Sequence, residues 1–353
     1  MTVPVLLAGD HFVQNDLLRR CLDEHVDGPL DLAELTLPWP VEPFGRVGDV
    51  DEASGTEEQL IDALLGRRIC LTQMAPLTER VLAACPDLEL FGVARGGPVN
   101  TDLAAATRHG VAVTFAPGRN AVATAEHTVG LLLAAVRRIP QTHGELAGGT
   151  WRGDLYQYEQ VGPEISGSTV GLVGYGAIGS RVARILAGFG ADVLVADPYV
   201  DPADLQPDVS AVGLDELLAR STVVSLHARA TPETRHIIGA PEIAAMPRGS
   251  VLVNCARGSL LDYDTACDAL DSGHLFAAAF DVYPDEPVPA GSRLLRTPNV
   301  VLTPHLAGAS RETAVRAAGL LAADVRRHLT DEPLVHCANP AVLAPATLGR
   351  ERS

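Results

Sequence analysis

The sequence predicts an α/β protein with two doubly wound parallel sheets, and three observations lead to this prediction. Short apolar runs alternate with amphipathic helical stretches along the chain. Gly and Pro residues separate most of these segments. The length of 353 residues suits two domains of about 150 residues each. Strands that alternate with helices form βαβ units, which build parallel sheets covered by helices on both faces.

The composition is that of a globular protein and argues against binding to nucleic acid or membranes. Hydrophobic residues make up 47% of the chain and charged residues 20%. The 44 acidic residues outnumber the 27 basic ones, so the formal charge is −17, whereas nucleic acids and anionic membranes need clustered cations. The longest apolar run, Val129 to Val136, is much shorter than the roughly 20 residues of a membrane helix. The N-terminus lacks the pattern of a signal peptide.

The cysteine and lysine content excludes several kinds of site. Six cysteines lie at positions 21, 70, 85, 255, 267 and 337, without a CxxC pair or paired spacing. We therefore expect reduced thiols in a cytoplasmic protein, with no disulfide framework and no metal site. The sequence contains no Lys, which excludes a lysine Schiff base and a P-loop.

Nine apolar runs are predicted to be buried strands, and they are densest between residues 169 and 302. They are Val3–Ala8, Leu88–Val93, Val111–Thr114, Thr169–Val173, Val193–Ala196, Thr222–Leu226, Val251–Val253, Ala277–Asp281 and Val300–Leu302. The stretch 36–56 is rich in Pro, Gly and acids and is predicted to be a surface excursion. Ala121–Ile139 predicts one long helix, ended by Pro140, that links the two domains.

The most informative motif is a strand that leads directly into a glycine-rich turn and an amphipathic helix. Its glycines are Gly174, Gly176 and Gly179. In a GxGxxG turn the first Gly allows the tight turn, the second admits a pyrophosphate and the third packs the helix on the strand. Asp197 ends the next strand, where a carboxylate binds ribose hydroxyls and repels a 2′-phosphate. The motif therefore predicts a Rossmann domain that binds NAD in preference to NADP.

Three later segments each place a polar residue near the carboxyl end of a predicted strand. These residues are Arg257, the acids Asp281 and Glu286, and His305. Open α/β sheets bind ligands at this edge. A histidine can protonate a carbonyl oxygen near neutral pH, a carboxylate raises the pKa of that histidine, and a guanidinium matches a substrate carboxylate. This set predicts hydride transfer to a 2-keto acid.

From about Leu88 to about Asp324 the chain resembles the D-isomer-specific 2-hydroxyacid dehydrogenase family. The resemblance is carried by the glycine-rich turn with Asp197, Leu226-His227, Glu233-Thr234-Arg235-His236, Asn254-Cys255-Ala256-Arg257-Gly258, Asp281-Val282-Tyr283-Pro284-Asp285-Glu286-Pro287 and Thr303-Pro304-His305. It implies that Arg257 binds the substrate, that Glu286 is the carboxylate partner and that His305 is the acid/base. The cofactor contacts that it implies beyond the glycines are Ala177, Ile178, Asp197, Ala228, Arg229, Thr234, Cys255, Ala256 and Asp281, with Asp281 on the nicotinamide carboxamide.

The resemblance also implies a domain organisation. A flavodoxin-like substrate domain would comprise residues 1–118 and 309–345, with a returning helix in the second segment. The Rossmann NAD-binding domain would be inserted at 119–308. Residues 346–353 lack periodicity and are expected to form a loose tail. We expect a cytoplasmic homodimer, formed through the nucleotide domains and the linker helix, that acts on a small 2-keto or 2-hydroxy acid.

The loop at 93–102 departs from the family pattern, which usually reads like Arg-Ala-Gly-x-Gly-x-Asp-Asn. Here Arg95 is added, and Pro98 removes one N–H donor. We expect Arg95, Gly96 and Gly97 to bind substrate, with Arg95 favouring a second anionic group. The alternative for Arg95 is an ion pair with Asp102.

Several alternatives stay open at this point. A phosphoglycerate-dehydrogenase-like enzyme would act on a phosphorylated hydroxy acid, with Arg95 or Arg119 on the phosphate. A corepressor-like protein would bind NAD as a conformational ligand without catalysis, and oxidation of formate or phosphite would need different pocket residues. The alternative for Arg257 is an ion pair with Asp262 or Asp264. Cys255 is expected to be a wall residue and not a reactive thiol, and the role of Arg229 is open.

Overall fold

The computed structural model describes residues 2–343, which form two compact units. Unit 1 runs to Asn120 and resumes at Ser310, and unit 2 comprises Ala121–Ala309. The predicted loose tail at 346–353 lies outside the described residues. Every helix within 2–343 is too short or too polar to cross a bilayer. The same residues contain no cluster of three His, Cys, Asp or Glu side chains that is suited to a metal ion.

Strands and helices alternate along the described chain. The strands are β1 (Val3–Gly9), β2 (Leu30–Thr36), β3 (Gly45–Val47), β4 (Val50–Ala53), β5 (Ile69–Thr72), β6 (Leu90–Val93), β7 (Ala112–Phe115), β8 (Thr169–Val173), β9 (Asp192–Ala196), β10 (Val209–Ala211), β11 (Val223–Leu226), β12 (Ser250–Asn254), β13 (Leu275–Phe280) and β14 (Val300–Leu302). The helices are α1 (Asn15–His25), α2 (Glu57–Leu64), α3 (Glu79–Ala84), α4 (Leu103–Arg108), α5 (Ala121–Val136), α6 (Ile139–Ala147), α7 (Gly179–Gly188), α8 (Leu214–Arg220), α9 (Ala240–Ala245), α10 (Tyr263–Asp271) and α11 (Arg311–Leu329).

Unit 1 is built on a five-stranded parallel sheet in the order β2-β1-β5-β6-β7. With the antiparallel β3–β4 hairpin set aside, this is the flavodoxin-like order 2-1-3-4-5. Because side chains alternate along a strand, Val5 and Leu7 pack with α1 and α11 on one face. Leu6 and Ala8 pack with α2, α3 and α4 on the other face. The returning helix therefore belongs to the core of unit 1.

Unit 2 contains a seven-stranded parallel sheet in the order β10-β9-β8-β11-β12-β13-β14. The first six positions follow the Rossmann order 3-2-1-4-5-6. Val170 and Leu172 pack with α5 and α7 on one face of the sheet. Val173 and Leu194 pack with α8, α9 and α10 on the other. The predicted fold class, a Rossmann sheet and a flavodoxin-like sheet in one chain, is confirmed.

The predicted linker helix is wrong in its C-terminal bound. The helix expected over Ala121–Ile139 ends at Val136, and Arg138 adopts a left-handed conformation with φ of 50°. Pro140 lies in the first turn of α6 and so begins a second helix, because the N–H that proline lacks has no partner at that position. As predicted for a surface excursion, the stretch at 36–56 is largely exposed, and it also carries the β3–β4 hairpin.

Candidate active site

The turn after β8 has the backbone geometry and the open space that a pyrophosphate requires. Gly174 has φ of 104°, and a Cβ there would lie 2.8 Å from the backbone N of Ala228. A Cβ on Gly179 would lie 2.3 Å from the carbonyl oxygen of Gly174. By contrast, a Cβ on Gly176 would have no neighbour within 4 Å. The space beside Gly176 lies close to the N-terminus of α7, where the positive end of the helix dipole favours phosphate.

Asp197 lies directly against this turn. Its Oδ2 accepts the N–H of Tyr175 at 2.8 Å, and its Oδ1 accepts the N–H of Tyr199 at 2.9 Å. A carboxylate has about four acceptor positions, so each oxygen retains capacity for a ribose hydroxyl. The turn, the helix terminus and the carboxylate therefore fit a dinucleotide.

The other residues implied as cofactor contacts around this turn lie close to it. Ala177 and Ile178 precede α7, and Ala228 and Arg229 follow β11. The Thr234 hydroxyl donates to the carbonyl oxygen of Arg229 at 2.7 Å, so Thr234 stabilises this second turn. The Arg229 side chain is exposed.

The turn after β12 is held by the side chain of Asn254. Its Oδ1 accepts the N–H of Ala256 at 3.0 Å, and its Nδ2 donates to the carbonyl oxygen of Arg257 at 2.9 Å. Cys255 is buried, and this burial raises the pKa of its thiol to about 12. Cys255 is therefore a neutral wall residue near pH 7, and a reactive thiol is not supported.

Arg257 presents a guanidinium without an ion-pair partner in the described part of the chain. Its Nη1 donates to the carbonyl oxygen of Ala256 at 2.6 Å, and the side chain is exposed. Asp262, one of the two alternative partners, instead accepts the N–H of Thr265 and caps α10. The structural ion pair with Asp262 or Asp264 is therefore wrong, and the positive charge is available to a ligand.

His305 and Glu286 form a hydrogen-bonded pair. Nδ1 of His305 lies 2.6 Å from Oε2 of Glu286, whose Oε1 accepts the N–H of Tyr283 at 2.9 Å. The bond to Glu286 raises the pKa of His305, against burial and the nearby charge of Arg257, which lower it. The structure thus brings His305 and Glu286 into contact and Arg257 within electrostatic reach of the imidazole.

Asp281 is fully buried beneath the His305 loop. Its carboxylate accepts the Thr303 hydroxyl at 2.6 Å and the N–H groups of Leu306 and Ala307 at 2.8 Å each. Burial favours a raised pKa for Asp281, but these bonds and His127 outweigh it and lower that pKa. The observed partners of Asp281 order the loop, whereas its implied contact with the nicotinamide stays a prediction.

Three supporting residues were not assigned a role in the site by the sequence. His127 on α5 lies 3.1 Å from the Thr303 hydroxyl. The Tyr263 hydroxyl donates to the carbonyl oxygen of Val282 at 2.5 Å, and the Tyr283 hydroxyl donates to that of Thr303 at 2.8 Å. In the sequence these residues are a lone histidine on an apolar helix and two tyrosines near the motifs. Such residues are equally typical of a hydrophobic core, so the sequence did not distinguish them as part of the site.

In unit 1, the predicted substrate loop follows β6. Arg95 forms an ion pair with Glu52 and also donates to the Glu52 carbonyl oxygen at 3.2 Å. Asp102 instead caps α4 by accepting the N–H of Ala105 at 2.9 Å, so the alternative Arg95–Asp102 pair is wrong. Cβ atoms at Gly96 and Gly97 would meet nothing within 4 Å.

Comparison with known proteins shows which family the chain belongs to. Residues 129–307 match the family described as "D-isomer specific 2-hydroxyacid dehydrogenase, NAD binding domain". The chain is 36% identical over 311 residues to D-3-phosphoglycerate dehydrogenase of Methanocaldococcus jannaschii, which covers 86% of this chain and 58% of that protein. Across the curated relatives considered, the chain spans 50–58% of their length.

Two solved structures resemble the chain over nearly its whole length. The TT0316 protein from Thermus thermophilus is 30% identical with a TM-score of 0.77, covering 95% of this chain and 100% of that one. An NAD-dependent formate dehydrogenase from Staphylococcus aureus, solved in complex with NAD, is 26% identical with a TM-score of 0.75, covering 95% and 98%. The family match confirms the predicted cofactor, NAD. On this evidence the chain belongs to the D-isomer-specific 2-hydroxyacid dehydrogenase family, and it resembles the phosphoglycerate-dehydrogenase branch.

Proposed function

We propose that the chain is an NAD-dependent oxidoreductase that interconverts a small 2-keto acid and its D-2-hydroxy acid by hydride transfer. The observation that carries this proposal is the 2.6 Å contact between His305 Nδ1 and Glu286 Oε2. The pair follows β13 and β14, and β13 lies next to β12, the strand that precedes Arg257. Membership of the family supports the reaction class.

His305 is the proposed acid/base. Its Nδ1–H donates to Glu286, which leaves Nε2 to exchange a proton with the substrate oxygen. In reduction Nε2 protonates the carbonyl oxygen as negative charge develops there. In oxidation the neutral Nε2 accepts the hydroxyl proton. Because Glu286 raises the pKa of His305, the protonated form persists to a higher pH than for a free imidazole.

Arg257 is the proposed ligand for the substrate carboxylate. A guanidinium presents a planar fork of donors that matches a carboxylate, and its charge also polarises an adjacent carbonyl group. The hydrogen bond from Asn254 to the Arg257 carbonyl oxygen fixes the backbone from which this side chain extends. Asn254 therefore fixes the backbone position of Arg257, and the Arg257 guanidinium supplies the positive charge.

NAD, when bound, supplies the nicotinamide ring that accepts or provides the hydride. The residues proposed to bind it are Gly174, Gly176, Ala177, Ile178, Gly179, Asp197, Ala228, Arg229, Thr234, Cys255, Ala256 and Asp281. Asp197 favours NAD over NADP, because a 2′-phosphate beside its carboxylate would bring like charges together.

We further propose that the loop of Arg95, Gly96 and Gly97 contacts the substrate. Within residues 2–343, the N–H groups of Gly96 and Gly97 donate to no hydrogen-bond acceptor and so are free to bind an oxyanion. Arg95 is already paired with Glu52, so it contributes less free charge than its sequence position suggests.

Oxidation of a phosphorylated hydroxy acid is the second candidate function. It is favoured by the similarity to proteins named D-3-phosphoglycerate dehydrogenase. It differs from the first candidate in the substrate and not in the roles of His305, Glu286 and Arg257.

The deciding experiment is NADH consumption by the full chain with glyoxylate, pyruvate, hydroxypyruvate and 2-ketobutyrate. We expect turnover, and we expect His305→Ala to lower kcat by about 100-fold with little change in NADH affinity. His109→Ala is a matched control, because His109 is exposed and pairs only with Glu79 at the surface of unit 1. Binding of NADH without turnover of any keto acid would instead favour a nucleotide-sensing protein.

We also propose a cytoplasmic homodimer. Trp151 is 82% exposed, and Tyr156 and Tyr158 are 92% and 87% exposed, in a segment that follows α6. Exposed aromatic groups of this kind favour a protein interface. All six cysteines are free, which suits a reducing compartment. Light scattering of the wild type and of Trp151→Ser would test the dimer.

A further inference from the structure

Tyr283 contacts all three segments that carry the proposed catalytic groups of unit 2. It lies in the turn that follows β13, three residues before Glu286. It is 8% exposed, so it lies inside the unit and not at its surface. Its contacts come from three different groups: the backbone N–H, the backbone carbonyl group and the side-chain hydroxyl. The proposed mechanism uses none of these as a reacting group.

The backbone N–H of Tyr283 holds the carboxylate of Glu286. It donates to Oε1 of Glu286 at 2.9 Å, while Oε2 of the same carboxylate lies 2.6 Å from Nδ1 of His305. Each oxygen of the carboxylate therefore has its own partner. The carboxylate cannot rotate away from His305 without also losing the bond to Tyr283. The orientation of Glu286 thus depends on the position of the Tyr283 backbone.

The hydroxyl of Tyr283 binds the segment that leads to His305. It lies 2.8 Å from the carbonyl oxygen of Thr303 and 3.0 Å from that of Phe280, so its single proton is shared between two acceptors. The Thr303 carbonyl oxygen also accepts the N–H of His305 at 3.0 Å. Burial raises the pKa of Tyr283, so the hydroxyl remains a donor well above neutral pH. The hydroxyl therefore holds the carbonyl group that begins the turn of His305.

This contact lies on the opposite side of His305 from the contacts of Asp281. Asp281 accepts the N–H groups of Leu306 and Ala307, which follow His305. Tyr283 binds the carbonyl group two residues before His305. His305 has a positive φ, which is uncommon for residues other than glycine. Because local preferences do not favour this turn, its shape depends on partners on both sides.

The backbone carbonyl group of Tyr283 lies against the turn of Arg257. A Cβ on Gly258 would lie 2.0 Å from the Tyr283 carbonyl oxygen and 2.2 Å from its carbonyl carbon. A real Cβ does not approach other atoms so closely, so only glycine allows this contact. The residue next to Arg257 therefore packs directly on Tyr283.

We propose that Tyr283 is a positioning residue whose hydroxyl holds the imidazole of His305 against Glu286. The inference rests on the proposed function, because it takes His305 as the acid/base. It goes beyond that function by making the contact between His305 and Glu286 depend on a third residue. Without the hydroxyl, the Thr303 carbonyl oxygen keeps only the N–H of His305 as a partner, and the imidazole moves relative to Glu286.

The test compares the full chain in three forms, the wild type, Tyr283→Phe and Ser250→Ala. Phenylalanine keeps the ring and the backbone contacts and removes only the hydroxyl. Ser250 is the matched control, because its buried hydroxyl also lies between two carbonyl oxygens, those of Pro247 and Ser221. Ser250 begins β12 and so lies at the opposite edge of the sheet from the site. We expect the melting temperature to fall by similar amounts in both variants.

The first readout is the pKa of His305, measured by NMR titration of the imidazole without cofactor or substrate. The His305→Gln variant assigns its signal among the eleven histidines. Glu286 and Asp281 raise the pKa of His305, whereas burial and Arg257 lower it. Tyr283→Phe keeps all of these charged groups, so a change in the pKa reports a change in geometry. We expect this variant to lower the His305 pKa and the serine control to leave it unchanged.

The second readout is catalytic. With NADH and a keto acid that the wild type reduces, we expect Tyr283→Phe to lower kcat by about three- to tenfold, because the proton donor is displaced. NADH affinity should not change, because the glycine-rich turn is intact. The pH above which reduction declines should fall together with the His305 pKa. A purely structural role of the hydroxyl would lower only the melting temperature, as in Ser250→Ala.

The outcomes separate this inference from the proposed function. If His305 has the same pKa in Tyr283→Phe and in the wild type, the positioning role is overturned, while turnover of a keto acid by the wild type still supports the dehydrogenase. If the His305 pKa falls in Tyr283→Phe but the wild type reduces no keto acid, the positioning role stands and the proposed function fails.

Discussion

Asp281 accepts the hydroxyl of Thr303 at 2.6 Å and thereby joins the end of β13 to the loop that carries His305. The same buried carboxylate accepts two N–H groups just beyond His305. His305 itself has φ of 53°, a conformation that is uncommon outside glycine. A buried charge therefore maintains a backbone shape that local preferences would not maintain.

Asp281→Asn tests this relationship. The amide cannot accept hydrogen bonds on both sides, so we expect the free energy of unfolding to fall by about 1–3 kcal/mol. We also expect kcat to fall at least about tenfold as the His305 loop shifts. Urea unfolding and keto-acid kinetics measure the two effects, with Thr303→Val as a milder companion that loses one bond. Reduced NADH affinity with unchanged stability would instead support the nicotinamide contact.

Two glycines of the turn after β8 should respond differently to alanine. The Cβ of Gly176→Ala enters open space, so we expect an unchanged melting temperature and NAD binding weakened at least about tenfold. The Cβ of Gly179→Ala would lie 2.3 Å from the Gly174 carbonyl oxygen, so this variant should be destabilised. Differential scanning fluorimetry with and without NAD distinguishes them. Equal NAD affinity in Gly176→Ala and the wild type would refute the pyrophosphate assignment.

Asp197→Ala should change cofactor preference. The substitution removes the carboxylate oxygens that would accept hydrogen bonds from the ribose hydroxyls of NAD. We therefore expect NAD affinity to fall by about 10–100-fold and NADP affinity to fall less. The measurement is the dissociation constant for both nucleotides by fluorescence titration. Asp201→Ala, in the following loop, controls for a general loss of negative charge. An unchanged NAD/NADP ratio would contradict the assignment of Asp197.

Glu286→Gln should move the pH profile in a defined direction. Glu286 raises the pKa of His305, so removing its charge lowers that pKa. Reduction needs protonated His305, and its rate should therefore decline at a lower pH than in the wild type. Oxidation needs the neutral imidazole and should gain activity at a lower pH. Profiles of kcat/KM in both directions measure the shift, and Asp285→Asn, the neighbouring acid, should leave them in place.

Much of unit 2 could be predicted because its information is local. The strand, the three glycines, the helix and Asp197 follow one another within about one βαβ unit, and each residue type has a physical requirement there. Arg257 and His305 each follow a short apolar run, and a parallel sheet necessarily brings such positions to one edge. The pairing of His305 with Glu286 was implied by the family resemblance, and the structure contains it.

Unit 1 was harder to predict because its contacts depend on distant segments. The partner of Arg95 is Glu52, 43 residues away, on a hairpin that the sequence pattern did not predict. The strands β2 and β5 also escaped prediction, and β2 carries alternating polar residues that do not form an apolar run. Tertiary pairing, and not local propensity, determines these positions.

The course of the chain through unit 1 has a consequence for biosynthesis. The helix α11 packs against α1 and contributes Ala317 and Leu321 to the same core as Val5. Unit 2, residues 121–309, is continuous and emerges from the ribosome before α11 has been translated. Unit 2 can therefore complete its core first. The N-terminal strands of unit 1 keep one apolar face uncovered until α11 has been made. They are thus the segment most in need of chaperone protection.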